Sequence, residues 1–152
     1  MRAVSPVVAT IIILLVVIAV TVATMLWITG FIPSLTNIRK LEIIDTRVEY
    51  SNNGWTINIT VRNTGTKPVT IDAVFINDKH FEIDGTRISL IVNNVSTQTL
   101  EPGDTGTLII RIGGTNGLTP KDLGFNPGSG QILSITIHTA SGDQYPTAIT
   151  LP

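Results

Sequence analysis

Hydrophobic and polar positions follow two different patterns along the chain, and the change falls near residue 40. From residue 7 to residue 32 the sequence is mostly apolar and carries no charge. Beyond residue 40, apolar and polar residues alternate in short segments that are separated by turns rich in Gly, Pro and Asn. These patterns predict an α+β chain, with a long hydrophobic helix over residues 1–40 and an all-β head over residues 41–152.

The uncharged stretch is long enough to cross a bilayer. It runs from Ala3 to Ile38, whereas about 20 apolar residues span the hydrocarbon core. Ser5 and Pro6 favour a helix start, because serine caps free N–H groups and proline gives up a donor that has no partner there anyway. We therefore predict a helix from about Ser5 to about Phe31; its continuation towards Lys40, with a kink between Gly30 and Pro33, stays open.

Gly30 and Pro33 mark a break or a kink and predict a hinge, because both residue types interrupt or kink helices. Charge does not decide the orientation in a membrane. Arg2 and the terminal amine lie on one side of the apolar stretch, and Arg39 and Lys40 lie on the other.

The remainder of the chain has the pattern of a β-sandwich. From Trp55 to Arg62, apolar and polar residues alternate, which is typical of a half-buried antiparallel strand. Asn52-Asn53-Gly54 and Asp84-Gly85 are tight-turn signals. Residues 113–130 hold many Gly, Pro and Asn residues and predict a long loop. In all we predict about seven to nine strands. The predicted strands are 41–50, 55–62, 69–76, 81–83, 88–92, 107–112, 131–139 and 146–151.

Three interpretations of the N-terminal stretch differ in what becomes of it. A secretory signal peptide is disfavoured, because the apolar region is too long and no clear cleavage site follows it. A plain transmembrane anchor fits the length and composition. A type IV pilin-like helix lies first in the membrane and later in a filament core. This third interpretation also accounts for Arg2 and Ala3 before Val4, since a prepilin peptidase cuts where a basic and a small residue precede an unbroken apolar run.

The segment Arg2-Ala3-Val4-Ser5-Pro6-Val7-Val8, followed by an Ile/Val/Leu run, resembles the N-terminus of archaeal type IV pilins over roughly residues 2–30. The resemblance implies a homopolymeric surface filament, with bundled N-terminal helices inside and globular heads outside. Bacterial pilins carry a glutamate near the mature N-terminus. Here no acid precedes Glu42, as is common in archaeal members, so subunit registration is left to packing.

The same resemblance assigns roles to individual residues. It implies a class III signal peptide processed at Arg2, Ala3 and Val4, where cleavage after Ala3 would leave a leader of three residues. Ala19 and Ala23 form a small-xxx-small pair, which allows close approach of two helices. The residues that we expect in the filament core are Val7, Ile11, Leu14, Leu15, Ile18, Ala19, Val22, Ala23 and Leu26.

Two stretches of the head resemble the paired strands of Ig-like adhesion modules, and together they cover about half of it. The first, residues 57–78, contains a V-x-N-x-G turn at Val61–Gly65. The second, residues 100–112, contains a P-G-x turn at Pro102–Asp104. The resemblance implies an Ig-like β-sandwich and does not indicate a function.

Composition and motifs argue against several functional classes. The net charge is −1 and there is no cysteine, which disfavours a nucleic-acid binder and excludes disulfides, thiolate metal ligands and a thiol nucleophile. His80 and His138 are far apart in sequence. No EF-hand, P-loop, G-x-S-x-G or HExxH motif occurs. We predict that the chain is not an enzyme and has no catalytic residues, cofactor or metal.

Two N-glycosylation acceptor motifs are present, Asn58-Ile59-Thr60 and Asn94-Val95-Ser96. Asn58 lies on the polar face of its predicted strand, and a head that faces the exterior would expose both asparagines. Glycans at these positions would add solubility and shield the protein from proteases.

The sequence therefore predicts a structural subunit of an archaeal type IV pilus, a glycoprotein that moves from the cytoplasmic membrane into an extracellular adhesive filament on the cell surface. The expected partners are other copies of the chain, prepilin peptidase, and the pilus assembly ATPase with its platform. Surfaces, other cells or viruses are candidate targets of the filament. Two alternatives stay open: a membrane-anchored Ig-like binding module that never polymerises, and an archaellin of a swimming filament.

Overall fold

The computed structural model describes residues 6–36 and 38–152, with side chains for residues 6–30 and 38–152. The chain divides into two compact units, residues 1–37 and residues 38–152. The first unit holds a long apolar helix, and the second holds two antiparallel β-sheets that form a sandwich. This architecture confirms the predicted fold class.

Helix α1 runs from Pro6 to Thr36. Its many Val, Ile and Thr residues are poor helix formers in water, but a helix pairs backbone groups within the segment, which an apolar environment demands. The helix continues past Phe31 and is unbroken through Gly30 and Pro33, which agrees with a continuation towards Lys40. A hinge at these two residues stays a prediction.

Residues 38–152 contain ten strands, two of them only two residues long. One sheet, sheet 1, has the strand order β1-β2-β8-β5-β6, and the other, sheet 2, has the order β10-β9-β3-β4, with β7 paired to β3. The two short strands that the sequence did not predict are β6 and β7. The elements are β1 (Leu41–Ser51), β2 (Gly54–Asn63), β3 (Val69–Ile76), β4 (Lys79–Glu82), β5 (Ile88–Val92), β6 (Val95–Ser96), β7 (Thr99–Leu100), β8 (Thr105–Gly113), α2 (Pro120–Leu123), β9 (Ile132–Thr139) and β10 (Gln144–Thr150).

The core of the head lies between the two sheets, and among the described residues its members run from Leu41 to Leu151. In β2 the buried side chains of Ile57, Ile59 and Val61 alternate with the half-exposed Asn58 and Thr60, as the sequence pattern predicts. Burying a large aliphatic side chain contributes about 1.5–3 kcal/mol. A core complete within residues 41–151 gives the head its own source of stability.

Three two-residue hairpin turns hold Asn or Asp in the left-handed region of backbone space. Both central residues have positive φ in Asn52-Asn53, Asn77-Asp78 and Asn93-Asn94. Such turns match the twist of the strands that they join, and Asn and Asp adopt positive φ more readily than other non-glycine residues. The sequence predicts the first turn and missed the other two, although Asn-Asp and Asn-Asn carry the same signal.

The segment after β4 is a crossover between sheets and not the predicted tight turn between two neighbouring strands. β4 lies in sheet 2 and β5 lies in sheet 1. The Asp84 carboxylate accepts hydrogen bonds from the main-chain N–H groups of Thr86, Arg87 and Ile88 at 2.9, 2.7 and 3.0 Å. Asp84 therefore shapes the loop that carries the chain from one sheet to the other.

Helix α2 lies inside residues 113–130, which the sequence predicts as a loop. The Thr119 hydroxyl accepts the Asp122 main-chain N–H at 3.3 Å, and the Asp122 carboxylate accepts the Thr119 main-chain N–H at 2.9 Å. This reciprocal capping box, with Pro120 at the first helical position, starts a helix locally. The missed signal is therefore the segment Thr119-Pro120-Lys121-Asp122.

The strands of the head run between two ends. The neck end holds Ile38, where this unit begins, together with the turns 63–68 and 101–104. The far end holds the Asn52-Asn53 turn, residues 113–117 and the last residue, Pro152; the Trp55 indole N–H donates to the Pro152 carbonyl there at 3.4 Å.

The neck end is organised by Asn63, whose side chain is wholly buried. Its Nδ2 donates to the carbonyls of Lys67 and Leu100 at 2.8 and 2.9 Å, and its Oδ1 accepts the Gly65 N–H at 2.9 Å. The Asn63 N–H also donates to the Asp104 carbonyl at 3.0 Å. The two turns picked out by the Ig-like resemblance are thus bonded to each other.

The turn formed by residues 63–68 is also hydrogen-bonded to the first residues of the head. The Thr64 N–H donates to the Lys40 carbonyl at 2.9 Å, and the Thr66 N–H donates to the Ile38 carbonyl at 2.7 Å. Gly65 leaves no room for a side chain, since a Cβ there would lie 2.3 Å from the Ile38 carbonyl oxygen. We call residues 38–40 and 63–66 the neck clasp.

Candidate functional site

Along residues 6–30, the surface of α1 is apolar on every side. Its hydrophobic residues are not gathered into one stripe, and large side chains along its length are exposed, including Val7, Leu14 and Leu26 at 65%, 60% and 67%. A helix that is hydrophobic all round belongs in lipid or within a bundle. The residues predicted for the filament core all lie on this exposed surface: Val7, Ile11, Leu14, Leu15, Ile18, Ala19, Val22, Ala23 and Leu26.

The threonines of α1 do not make this surface polar. The hydroxyls of Thr10, Thr21, Thr24 and Thr29 donate to carbonyls three or four residues earlier, at 2.7–2.9 Å. The hydrogen of such a hydroxyl is already hydrogen-bonded within its own helix. The helix can therefore enter an apolar environment with these donors satisfied.

The length of α1 also fits a membrane. The segment Pro6–Gly30 has 25 residues, and its most apolar stretch of 18 residues has a mean hydropathy of 3.0. At 1.5 Å per residue the segment spans about 37 Å. The hydrocarbon core of a bilayer is about 30 Å thick. The helix is thus long and apolar enough to cross a membrane with some tilt.

The smallest side chains of the described helix share one side of it. Ala9, Ala19, Ala23 and Gly30 are separated by 10, 4 and 7 residues, and each separation is within about a quarter turn of a whole number of turns. Small residues let helix backbones approach closely. This side, the small-residue stripe, is the part of α1 best suited to tight helix packing.

The predicted processing site, Arg2, Ala3 and Val4, lies outside the described residues. The two predicted glycosylation acceptors are placed differently. Asn94 is exposed in the turn between β5 and β6, whereas Asn58 is half-buried in β2 and is paired with Arg47 on one side and Ile109 on the other. Glycosylation stays a prediction for both.

The two histidines, distant in sequence, contact the same aromatic side chain in sheet 2. His80 and His138 pack edge-on against Phe75, with ring centroids 5.2 and 6.0 Å from it. The His138 Nδ1 lies 2.8 Å from an Asp72 carboxylate oxygen. Within the described residues, no group of three His, Asp or Glu side chains could hold a metal ion.

A charged cluster ties the crossover loop to α2. The Arg87 guanidinium lies 2.6 Å from the Asp84 carboxylate and 4.0 Å from that of Asp122. Desolvation raises the pKa of Asp84, but hydrogen bonds from Ile88, Arg87 and Thr86 outweigh it and hold that pKa well below its usual value of 3.8. The pKa of Asp122 is lowered, chiefly by the hydrogen bond from the Thr119 N–H.

The fold and this surface define a class of protein: a β-sandwich head with a complete core, joined to an N-terminal helix that requires an apolar environment. No protein-family model and no curated protein matches the chain.

Among solved structures, the chain is similar to the archaellum periplasmic stator protein FlaG from Sulfolobus acidocaldarius. The TM-score is 0.48 and the sequence identity is 18%, and the match covers 74% of this chain and all of that one.

Proposed function

We propose that this chain is a structural subunit of an archaeal type IV pilus, which polymerises through its N-terminal helices into an extracellular adhesive filament. On this proposal the helix lies in the cytoplasmic membrane before assembly and in the filament core afterwards. Prepilin peptidase and the pilus assembly ATPase with its platform act on the chain. The chain itself is structural and catalyses no reaction.

The observation that carries the proposal is the exposed apolar surface of α1, which surrounds the helix on all sides. Burial of one large aliphatic side chain contributes about 1.5–3 kcal/mol, so the whole helix represents some tens of kcal/mol. The helix therefore cannot remain in water. A membrane and a bundle of identical helices both provide the apolar environment that it needs.

Two features favour a helix that passes from membrane to bundle over one that stays in lipid. Transfer between two apolar surroundings changes the hydrophobic free energy little, so dense packing must stabilise the filament. The small-residue stripe offers such packing. The segment from Arg2 to Val8, which resembles archaeal pilins, gives a peptidase site that a permanent anchor does not need.

Electron microscopy of appendages sheared from cells, combined with N-terminal sequencing of their subunit, tests the proposal. We expect thin filaments built from this chain, with an N-terminus created by cleavage within residues 2–4. The proposal fails if the chain is found only as dispersed monomers in the membrane fraction.

The second candidate, a membrane-anchored surface module that never polymerises, is favoured by the fit between the 25-residue segment and a bilayer. It predicts an uncleaved N-terminus in the mature protein and no filaments. An archaellin would also form filaments, and rotation of those filaments on live cells distinguishes it from a pilus subunit.

A further inference from the structure

A groove of about 380 Å³ lies at the far end of the head, between the β1–β2 hairpin and the loop Gly113–Gly117. Its volume is within the range of about 300–1,000 Å³ typical of small-ligand sites. Asn52 and Thr56 line it from the hairpin side, and Arg111, Thr115 and Asn116 line it from the other. Trp55 is also part of the lining. These residues come from two regions far apart in sequence.

The wall formed by residues 113–117 is held in place by the main chain. The Leu118 N–H donates to the Arg111 carbonyl, and the Gly113 N–H donates to the Leu118 carbonyl, both at 2.8 Å. A Cβ at Gly117 would lie 2.1 Å from the Gly113 carbonyl oxygen, so glycine is needed there. The groove is therefore formed before any ligand binds, which lowers the entropic cost of binding.

The polar side chains of the groove have hydrogen-bonding capacity to spare. In the described part of the chain, no hydrogen bond engages the side chains of Asn52, Thr56, Thr115 or Asn116. Amides and hydroxyls offer both donors and acceptors. A ligand with many hydroxyl groups can use both kinds.

The charge of the lining narrows the ligand class. No carboxylate lines the groove between the hairpin and residues 113–117, and its one charged side chain is Arg111, whose guanidinium also donates to the Thr86 carbonyl at 2.5 Å. A cationic ligand would meet no counter-charge, and an apolar ligand would desolvate four unpaired polar side chains. Neutral or carboxylated polyols meet neither penalty.

We propose that this groove binds a saccharide, neutral or carboxylated, through Asn52, Thr56, Thr115 and Asn116. The proposal deepens the proposed function, because the groove would supply the adhesive contact of the filament. The groove lies wholly within residues 38–152, so ligand binding can be tested independently of filament assembly.

Titration of the full chain in phosphatidylcholine nanodiscs, which contain no sugar headgroups, tests this binding. The chain has two tryptophans, and a Trp27→Phe background leaves Trp55 in the groove as the reporter of fluorescence. The probes are maltotriose, cellotriose, mannotriose, chitotriose and trigalacturonic acid. The double variant Thr115→Ala/Asn116→Ala removes two groove side chains, and Asn126→Ala, at an exposed asparagine outside the groove lining, is the matched control.

We expect at least one probe to change Trp55 fluorescence saturably. The double variant should raise the Kd at least about fivefold, because two hydrogen-bonding side chains are lost, and Asn126→Ala should leave it unchanged. The proposal is overturned if no probe binds, or if the double variant binds as well as the parent chain. Filaments formed normally by the same variants would show that such a failure concerns the groove alone.

Discussion

At the scale of single residues, Asn63 shows how one buried polar side chain can hold a whole end of the head. Its amide satisfies the carbonyls of Lys67 and Leu100 and the N–H of Gly65. An apolar replacement leaves these groups without partners in a region closed to water, and each unsatisfied buried group costs about 1–3 kcal/mol.

We therefore expect Asn63→Ala to lower the free energy of unfolding of the head by about 2–4 kcal/mol. Urea denaturation of a fragment comprising residues 38–152, monitored by Trp55 fluorescence, measures this change in the free energy of unfolding. Asn126→Ala serves as the control, because Asn126 is exposed. A loss for Asn63→Ala no larger than that of the control would contradict the role given to Asn63.

The lowered pKa of Asp84 predicts how the stability of the head changes at acidic pH. Its pKa is lower in the folded head than the ordinary value of 3.8, so the folded state binds fewer protons than the unfolded one. The stabilisation is complete above the ordinary pKa and is lost as pH falls from there through the folded pKa.

Asp84→Asn should accordingly lower stability by about 1–2 kcal/mol at pH 7, and the difference from the parent should shrink as pH falls from about 5 towards 2. Urea denaturation at a series of pH values measures it. Asn126→Ala, which removes no ionisable group at an exposed position, should show no such dependence. A constant difference across this pH range would rule out the ionised Asp84 carboxylate as the cause.

Some residues of the head were predictable from local pattern and others were not. The predicted bounds of β3 and β5 match the observed ones, because each is a short apolar-rich run between turn residues. The role of Asn63 was not predictable. Its partner Leu100 lies 37 residues away, and a lone asparagine in a turn has the same local pattern whether it is buried or exposed.

At the scale of elements, α1 was predicted from composition alone, and its apolar surface needed no tertiary information. The position of its end was left open, because Gly30 and Pro33 are strong local signals for a break, whereas α1 runs through them to Thr36. The groove at the far end could not be predicted, since strand pairing brings its two walls together.

The small-residue stripe makes a prediction at this scale. Ala23→Leu places a bulky side chain where close helix packing is expected, and we expect the yield of sheared filaments to fall at least tenfold, equivalent to about 1.4 kcal/mol per subunit contact. Val17→Leu, on another side of α1, is the matched control and adds apolar volume without touching the stripe. Quantitative immunoblots of sheared and cell-bound fractions measure the yield.

Both variants should enter the membrane equally well, because both replacements are apolar. If Val17→Leu reduces filament yield as strongly as Ala23→Leu, the stripe has no special part in packing.

At the scale of the whole molecule, the two units place opposite demands on their surroundings. The head has a complete core between its sheets, whereas α1 exposes its apolar side chains. We expect residues 38–152 alone to be a soluble monomer by size-exclusion chromatography with light scattering, and the full chain to need lipid, detergent or polymerisation. Aggregation of the fragment in plain buffer would show that the head depends on α1.

The division into helix and head was predictable because hydropathy changes sharply near residue 40. The sandwich was predictable as a class, because short alternating segments with regular turns favour it. Strand order was not, since the crossover at Asp84 moves the chain between sheets without any change in local pattern.

The entry of the chain at the neck end also determines how the head would respond to tension. The chain comes in at Ile38, and β1 runs from there to the far end, antiparallel to β2 with residues Leu41 to Ser51 paired against Asn63 to Gly54. A pull on the helix that is resisted at the far end acts along β1. The hydrogen bonds of the β1–β2 ladder are then loaded together in shear. They resist the force jointly and do not open one after another.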